Sequence, residues 1–160
     1  MTRRDDLRRI ERSITRIARI SLGRTAARNR AELSGVDLSR PAVSILATLH
    51  LSGAMRLSTL STLTHLEAPL VSREIRQLET EGYVSRVADP DDGRAAIVEA
   101  TELGHETFLR YRTTTDAIVA ETFADWNDED LLGLVADLER LEASFTRAPK
   151  GLQRKSDAGS

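Results

Sequence analysis

From Arg3 to about Leu33, the apolar residues Leu7, Ile10, Ile14 and Ile17 recur at helical spacing, with charged residues filling the other faces. One long amphipathic helix is predicted, and its narrow apolar stripe suits a seam against other helices. Ser34-Gly35-Val36-Asp37 interrupts the pattern. Ser39 before Arg40-Pro41 then supplies an N-cap and a first-turn proline for a second helix over about 40–51, which should bury Val43, Leu46, Ala47 and His50 and end at Ser52-Gly53. A shorter helix over about 58–64 turns Leu60 and Leu63 inward. After a turn at His65-Leu66, another helix begins near Ala68-Pro69, with Val71, Ile75 and Leu78 as its buried stripe. At about 100° per residue, Pro69, Arg73, Arg76 and Thr80 point away from that stripe, with Leu70, Ser72 and Gln77 on its flanks. The outward face thus holds two guanidinium groups, a hydroxyl and an apolar side chain able to meet a thymine methyl, which are the groups that phosphates and base edges require.

Gly82 reads as the C-terminal stop of this helix, and the alternation that follows predicts a strand over Tyr83 to Ala88 and a return strand over Ala96 to Ala100. Between them, Asp92-Gly93 suits a tight hairpin turn. Arg94 sits beside the tip, close enough for the Asp92 carboxylate to orient it. Thr101 can cap a helix running to about Asp125, and Asn127 or Asp128 a last one, in which Leu131, Leu134, Leu138, Leu141 and Phe145 form a heptad seam. The fold class is therefore mainly α with a small β-hairpin wing. A winged helix-turn-helix over 36–101 lies between helical dimerisation segments at 1–33 and 102–147, and residues 148–160 form a disordered tail. No internal repeat is present.

Composition agrees with a helical interior: aromatic residues are 4% of the 160 residues and hydrophobic residues 40%, so the core must be built from Leu, Ile, Val and Ala. With no Cys, disulfides, thiolate metal sites and thiol redox chemistry drop out. No segment approaches the roughly 18 apolar residues of a membrane span, so no membrane association is expected, and a cytoplasmic protein is the default. Nearly every basic residue is Arg, with Lys150 and Lys155 as the exceptions.

A net charge of −2 looks unfavourable for binding nucleic acid until its distribution is considered. Ten arginines between Arg3 and Arg30 face four carboxylates within residues 1–33, whereas residues 102–147 are predominantly acidic. Oppositely charged terminal helices would attract one another, within a chain or between chains. Between 57 and 101, Glu67, Glu74, Glu79, Glu81, Asp89, Asp91, Asp92 and Glu99 outnumber Arg73, Arg76, Arg86 and Arg94. DNA affinity would then depend on a few arginines gathered on one face, with the carboxylates paired or turned away.

Catalytic chemistry is not suggested. His50, His65 and His105 fall in separate predicted elements with no metal-ligand spacing, and no nucleophile elbow, phosphate loop or dinucleotide fingerprint occurs. Asp128-Glu129-Asp130 is most simply a helix N-terminus favouring negative charge. Neither an enzyme nor a cofactor or metal is expected, and no separate catalytic domain should follow residue 148.

Leu60-Ser61, Val71-Ser72-Arg73, Leu78-Glu79, Gly82-Tyr83-Val84, Arg86, Asp89-Pro90, Asp92-Gly93-Arg94 and Thr101 with Gly104, in that order and spacing, resemble the MarR family of bacterial transcription regulators. The likeness covers about residues 5–147. It implies a homodimer whose first and last helices interlock, each chain presenting its winged helix-turn-helix to half of an inverted repeat. Carried over by position, Pro69, Leu70, Ser72, Arg73 and Arg76 lie on the recognition helix, while Arg86 and Arg94 belong to the wing. Arg94 looks like the family's minor-groove arginine, buttressed by Asp92. Four places depart from the family pattern: Ser61 stands for a small Ala, Thr64-His65 for a frequent Leu-Gly pair, Ala68-Pro69 for polar residues, and Ala100 for a Leu.

The expected function is a homodimeric DNA-binding regulator, a repressor of a pseudo-palindromic operator whose half-sites lie about one helical turn apart. Its expected partners are double-stranded DNA, a second copy of the chain, and a small-molecule effector. That effector would wedge near the first helix, Val43 to His50, and the helix after Thr101. The competing reading is a winged-helix protein–protein interaction module without DNA binding, which the acidic balance would suit.

Overall fold

The computed structural model describes residues 2–89 and 96–147. Asp92, Gly93 and Arg94 of the expected hairpin tip, and the expected disordered tail, lie outside the described residues. The chain divides into two compact units after Ile118.

The first unit opens with α1 (Arg3–Leu22) and α2 (Arg24–Ser34) in place of the single helix expected. The break is at Gly23, whose backbone is extended, and a Cβ there would stand 2.4 Å from the carbonyl oxygen of Arg19. Only glycine allows that approach. Thr2 caps α1 in a reciprocal pair with Asp5, and the Thr2 hydroxyl and amide hydrogen bonds hold the Asp5 carboxyl below its ordinary pKa. Neither helix buries a residue: Ile17 is 64% exposed and Ile20 65%.

After the left-handed turn at Gly35, Ser39 accepts from the Ala42 amide and starts α3 (Arg40–Ser52). Its buried face is Ala42, Ile45, Leu46 and Leu49, while Val43, Ala47 and His50 are half-buried at the margin. The expected stripe was thus rotated by about one residue. Next come β1 (Met55–Arg56), α4 (Leu57–Thr64), α5 (Ala68–Thr80), β2 (Val84–Ala88), β3 (Ala96–Ala100) and α6 (Glu102–Thr122). Leu60 is fully buried, but Leu63, expected inside, is 50% exposed.

The hairpin expected of β2 and β3 is present in antiparallel register, with Val84 opposite Ala100 and Arg86 opposite Val98. A third strand, unexpected from sequence, completes the sheet in the order β1-β3-β2. Two residues are too few to show alternation, and β1 exists because Met55 and Arg56 find Val98 and Ile97 as partners. One apolar core joins α3, α4, α5 and the sheet through Ile45, Leu46, Leu49, Leu60, Val71, Ile75, Leu78, Val84 and Val98, with Phe108 of α6 added. Each such side chain contributes about 1.5–3 kcal/mol of burial, so α5 is held by its inner face while its outer face stays open.

The second unit holds the end of α6 and α7 (Asp128–Arg147), which Asn127 caps by accepting from the Asp130 amide. Phe123 and Trp126 pack edge to face in the connection. No residue of α7 is buried; Leu138 is 53% exposed and Phe145 64%.

Candidate nucleic-acid interface

The surface presented by α5 follows from how its two ends are set. At its start Glu67 is an N-cap without a side-chain bond, and Pro69 sits in the first turn. At its end the Tyr83 amide donates to the Leu78 carbonyl and the Gly82 amide to that of Glu79, with Gly82 at φ 80°. This closed C-terminal turn needs glycine and directs the chain into β2.

The preceding turn is also specified by side chains. His65 adopts a left-handed conformation, φ 55°, where glycine would be free of strain. Ser61 Oγ reaches across the turn and donates to the Leu66 carbonyl at 2.6 Å, and Thr64 Oγ1 donates to that of Leu60. The departures at Ser61 and Thr64-His65 thus supply their own bonds to hold the angle between α4 and α5.

Pro69, Arg73, Arg76, Gln77 and Thr80 are exposed on α5, and Leu70 and Ser72 are half-buried beside them. This is the arrangement expected from periodicity. Arg76 Nε folds back onto the Ser72 carbonyl at 3.1 Å, leaving the rest of its guanidinium outward. Arg86, on β2, is bound at 3.1 Å by Glu79 of α5, so it ties the wing to the helix.

The carboxylates of this region are largely engaged. Glu74 bonds Ser39 and Arg73, and Glu81 accepts from Gln77. Asp89, buried at the end of β2, meets Arg56 at 2.5 Å, while Glu99 accepts from Ser85 across the hairpin. The charges of Glu74, Glu79 and Asp89 are offset by the arginines they meet, while Glu81 and Glu99 accept from neutral side chains.

Glu74 escaped the sequence reading except as one acid among many. Its signal was position: three residues after Val71 and beside Ile75, it falls on the apolar stripe, where a carboxylate requires partners.

A cleft of about 280 Å³, with no residue of α5 in its walls, is lined by Leu22, Arg30, Arg40, Val43, Ser44, Tyr111 and Thr115. One Arg30 nitrogen, Nη2, donates to the Ser21 carbonyl at 2.6 Å, while its buried Nε has no partner. Nearby in the fold, His50 and His105, expected to lie far apart, meet with Nδ1 atoms 2.9 Å apart, and Phe108 packs against His50. Packing of α3 on α6 joins them over 55 positions of sequence. Among the described residues no group of three His, Cys, Asp or Glu side chains could hold a metal ion, and no helix is long and apolar enough to cross a membrane.

Comparison with known proteins reaches the same region. Residues 38–96 match the MarR family. An uncharacterized HTH-type transcriptional regulator of Mycobacterium bovis, Mb0904, is 34% identical over 113 residues, spanning 69% of this chain and 78% of that protein. Among solved structures, a MarR family protein from Bacillus stearothermophilus superposes with a TM-score of 0.79 over 92% of this chain and all of that one, at 18% identity. The transcriptional regulator BldR from Sulfolobus solfataricus gives a TM-score of 0.67 over 88% of this chain and 99% of that one, at 28% identity.

Proposed function

This chain belongs to the MarR family of transcription regulators, not enzymes, and from that membership we propose that it acts as a homodimeric, ligand-responsive repressor. Each protomer places α5 in the major groove of one half of a pseudo-palindromic operator, the half-sites about one helical turn apart. The observation that carries this reading is the outer face of α5. Arg73, Arg76 and the flanking Ser72 and Leu70 project from a helix fixed on its inner face by Val71, Ile75 and Leu78. Affinity comes chiefly from phosphate contacts, and the few base-edge contacts supply selectivity. The wing residues Arg86, Asp92 and Arg94 are assigned to the flanking groove on the family likeness.

Dimerisation is supported by the apolar stripes of α1 and α7, which stand open to solvent in the single chain. Pairing with a second copy covers them and sets the spacing of the two recognition helices. The cleft at Arg30 supports the regulatory step: its unpartnered Nε, a second guanidinium at Arg40, and the apolar walls of Leu22 and Val43 suit a small organic anion. An effector there works only by favouring one spacing of the recognition helices over another.

The deciding experiment enriches duplexes from a random-sequence pool with the purified protein and titrates salt against the enriched sequence. Enrichment of an inverted repeat, bound by two chains with steep salt dependence, is expected. Failure to bind any duplex at low salt would overturn the reading in favour of a protein-interaction module.

A further inference from the structure

Glu74 lies on the buried side of α5, its side chain only 7% exposed, where an apolar residue would continue the stripe of Val71, Ile75 and Leu78. A carboxylate in that place is destabilising unless each oxygen is satisfied. Oε2 accepts from Ser39 Oγ at 2.6 Å. The same hydroxyl oxygen caps α3 by accepting from the Ala42 amide at 3.1 Å. Oε1 accepts from Nη2 of Arg73 at 3.1 Å, although the Arg73 side chain is 71% exposed. One oxygen is thus anchored in the scaffold, and the other reaches the arginine on the open face.

Neighbouring residues on a helix diverge by about 100°, so Arg73 meets Glu74 only by folding its long stem over the helix. That contact has two consequences. It restricts a side chain with many rotamers before any ligand arrives, lowering the ordering cost of one defined contact. It also offsets the guanidinium charge, which weakens attraction to phosphates in general.

We propose that Glu74 is a positioning residue for operator recognition: anchored through Ser39 to α3, it presents Arg73 to base edges and keeps it from gripping phosphates indiscriminately. The inference rests on the reading of α5 as the helix that enters DNA.

The test compares the duplex that the wild-type protein enriches from a random pool with a scrambled duplex of equal composition. Glu74→Met fills the buried site with an apolar chain of similar length, so it unfolds at the same or a higher urea concentration than wild type. It binds the scrambled duplex severalfold more tightly, and the operator-to-scrambled ratio falls about tenfold, the worth of one good base contact. Glu74→Gln keeps one carbonyl oxygen to accept from Arg73 while its amide NH2 donates to Ser39 Oγ, so it retains wild-type operator affinity. Being neutral, it no longer offsets the guanidinium and binds the scrambled duplex more tightly. In an Arg73→Ala background, Glu74→Met changes the ratio by less than about twofold, because the group it positions is gone.

An unchanged ratio in Glu74→Met overturns the proposal, as does an equal fall with Arg73 already removed, which would mark a general packing effect. If the wild-type protein enriches no sequence, the DNA reading of α5 fails first and takes this inference with it. If Arg73→Ala alone lowers the ratio while Glu74→Met does not, the DNA reading stands and only the positioning role is lost.

Discussion

Thr101 Oγ1 donates to the Gly82 carbonyl at 2.7 Å and accepts from the Gly104 amide at 3.1 Å, so one hydroxyl joins the turn after α5 to the start of α6. The two elements approach so closely that a Cβ on Gly104 would lie 2.1 Å from the Tyr83 carbonyl oxygen. Thr101→Ala should cost about 1–2 kcal/mol as a lost helix cap, and Thr101→Ser should recover most of it. Gly104→Ala should cost about 3 kcal/mol, because backbone must move to admit the methyl group. Urea unfolding of the three variants measures both effects.

The helix-turn-helix angle offers an opposite change. His65→Gly relieves a left-handed backbone at a gain of about 0.5–1 kcal/mol after the entropy of the freer chain is set against it. Ser61→Ala removes the bond to the Leu66 carbonyl and should cost about 1 kcal/mol. Thermal melts should therefore shift in opposite directions, by about 2–4 °C per kcal/mol for a chain of this size. A lower melting temperature for His65→Gly would contradict the strain argument.

For DNA binding, Arg76→Ala should weaken operator and random duplex alike and reduce the slope of log affinity against log salt by about one, the signature of a lost phosphate contact. Arg94→Ala should weaken the operator complex strongly, as the family likeness implies for a minor-groove arginine. Fluorescence anisotropy across a salt series separates the two. Equal binding by Arg94→Ala and wild type would remove the wing from the interface.

Charge placed in the open apolar stripes should abolish assembly. Ile17→Glu and Phe145→Glu alter residues that are each 64% exposed in the single chain, so neither should unfold the core. Sedimentation at micromolar concentration should show wild-type dimers and monomeric variants, with operator affinity falling as the second recognition helix is lost. Variants that remain dimeric would locate the interface elsewhere.

The effector cleft can be tested apart from DNA recognition. Arg30→Met keeps an apolar stem and removes the unpartnered guanidinium nitrogen together with the Nη2 bond to the Ser21 carbonyl. Operator affinity should stay within about twofold of wild type, since no residue of α5 lines the cleft. Benzoate and related aromatic carboxylates serve as probes, and calorimetry with wild type and variant should show heat of binding for the former alone. Identical binding by both would exclude this cleft as the anion site.

Local chemistry was sufficient for much of the architecture. The helix ends at Ser39, Gly82, Thr101 and Asn127, the two strands of the hairpin, and the outward set Pro69, Arg73 and Arg76 all follow from rules that act within a few residues of the chain. Gly23 shows where such rules stop short: its need for glycine comes from the Arg19 carbonyl one turn back, which a periodicity reading passes over. Packing alone brought together Ser39 with Glu74, His50 with His105, and Met55 with Val98, pairs separated by 35 to 55 residues. No local preference encodes these meetings, because each depends on two elements being pressed together by a shared apolar core. A charged residue on a buried stripe announces that it needs partners; which partners it takes is settled only when the helices close around it.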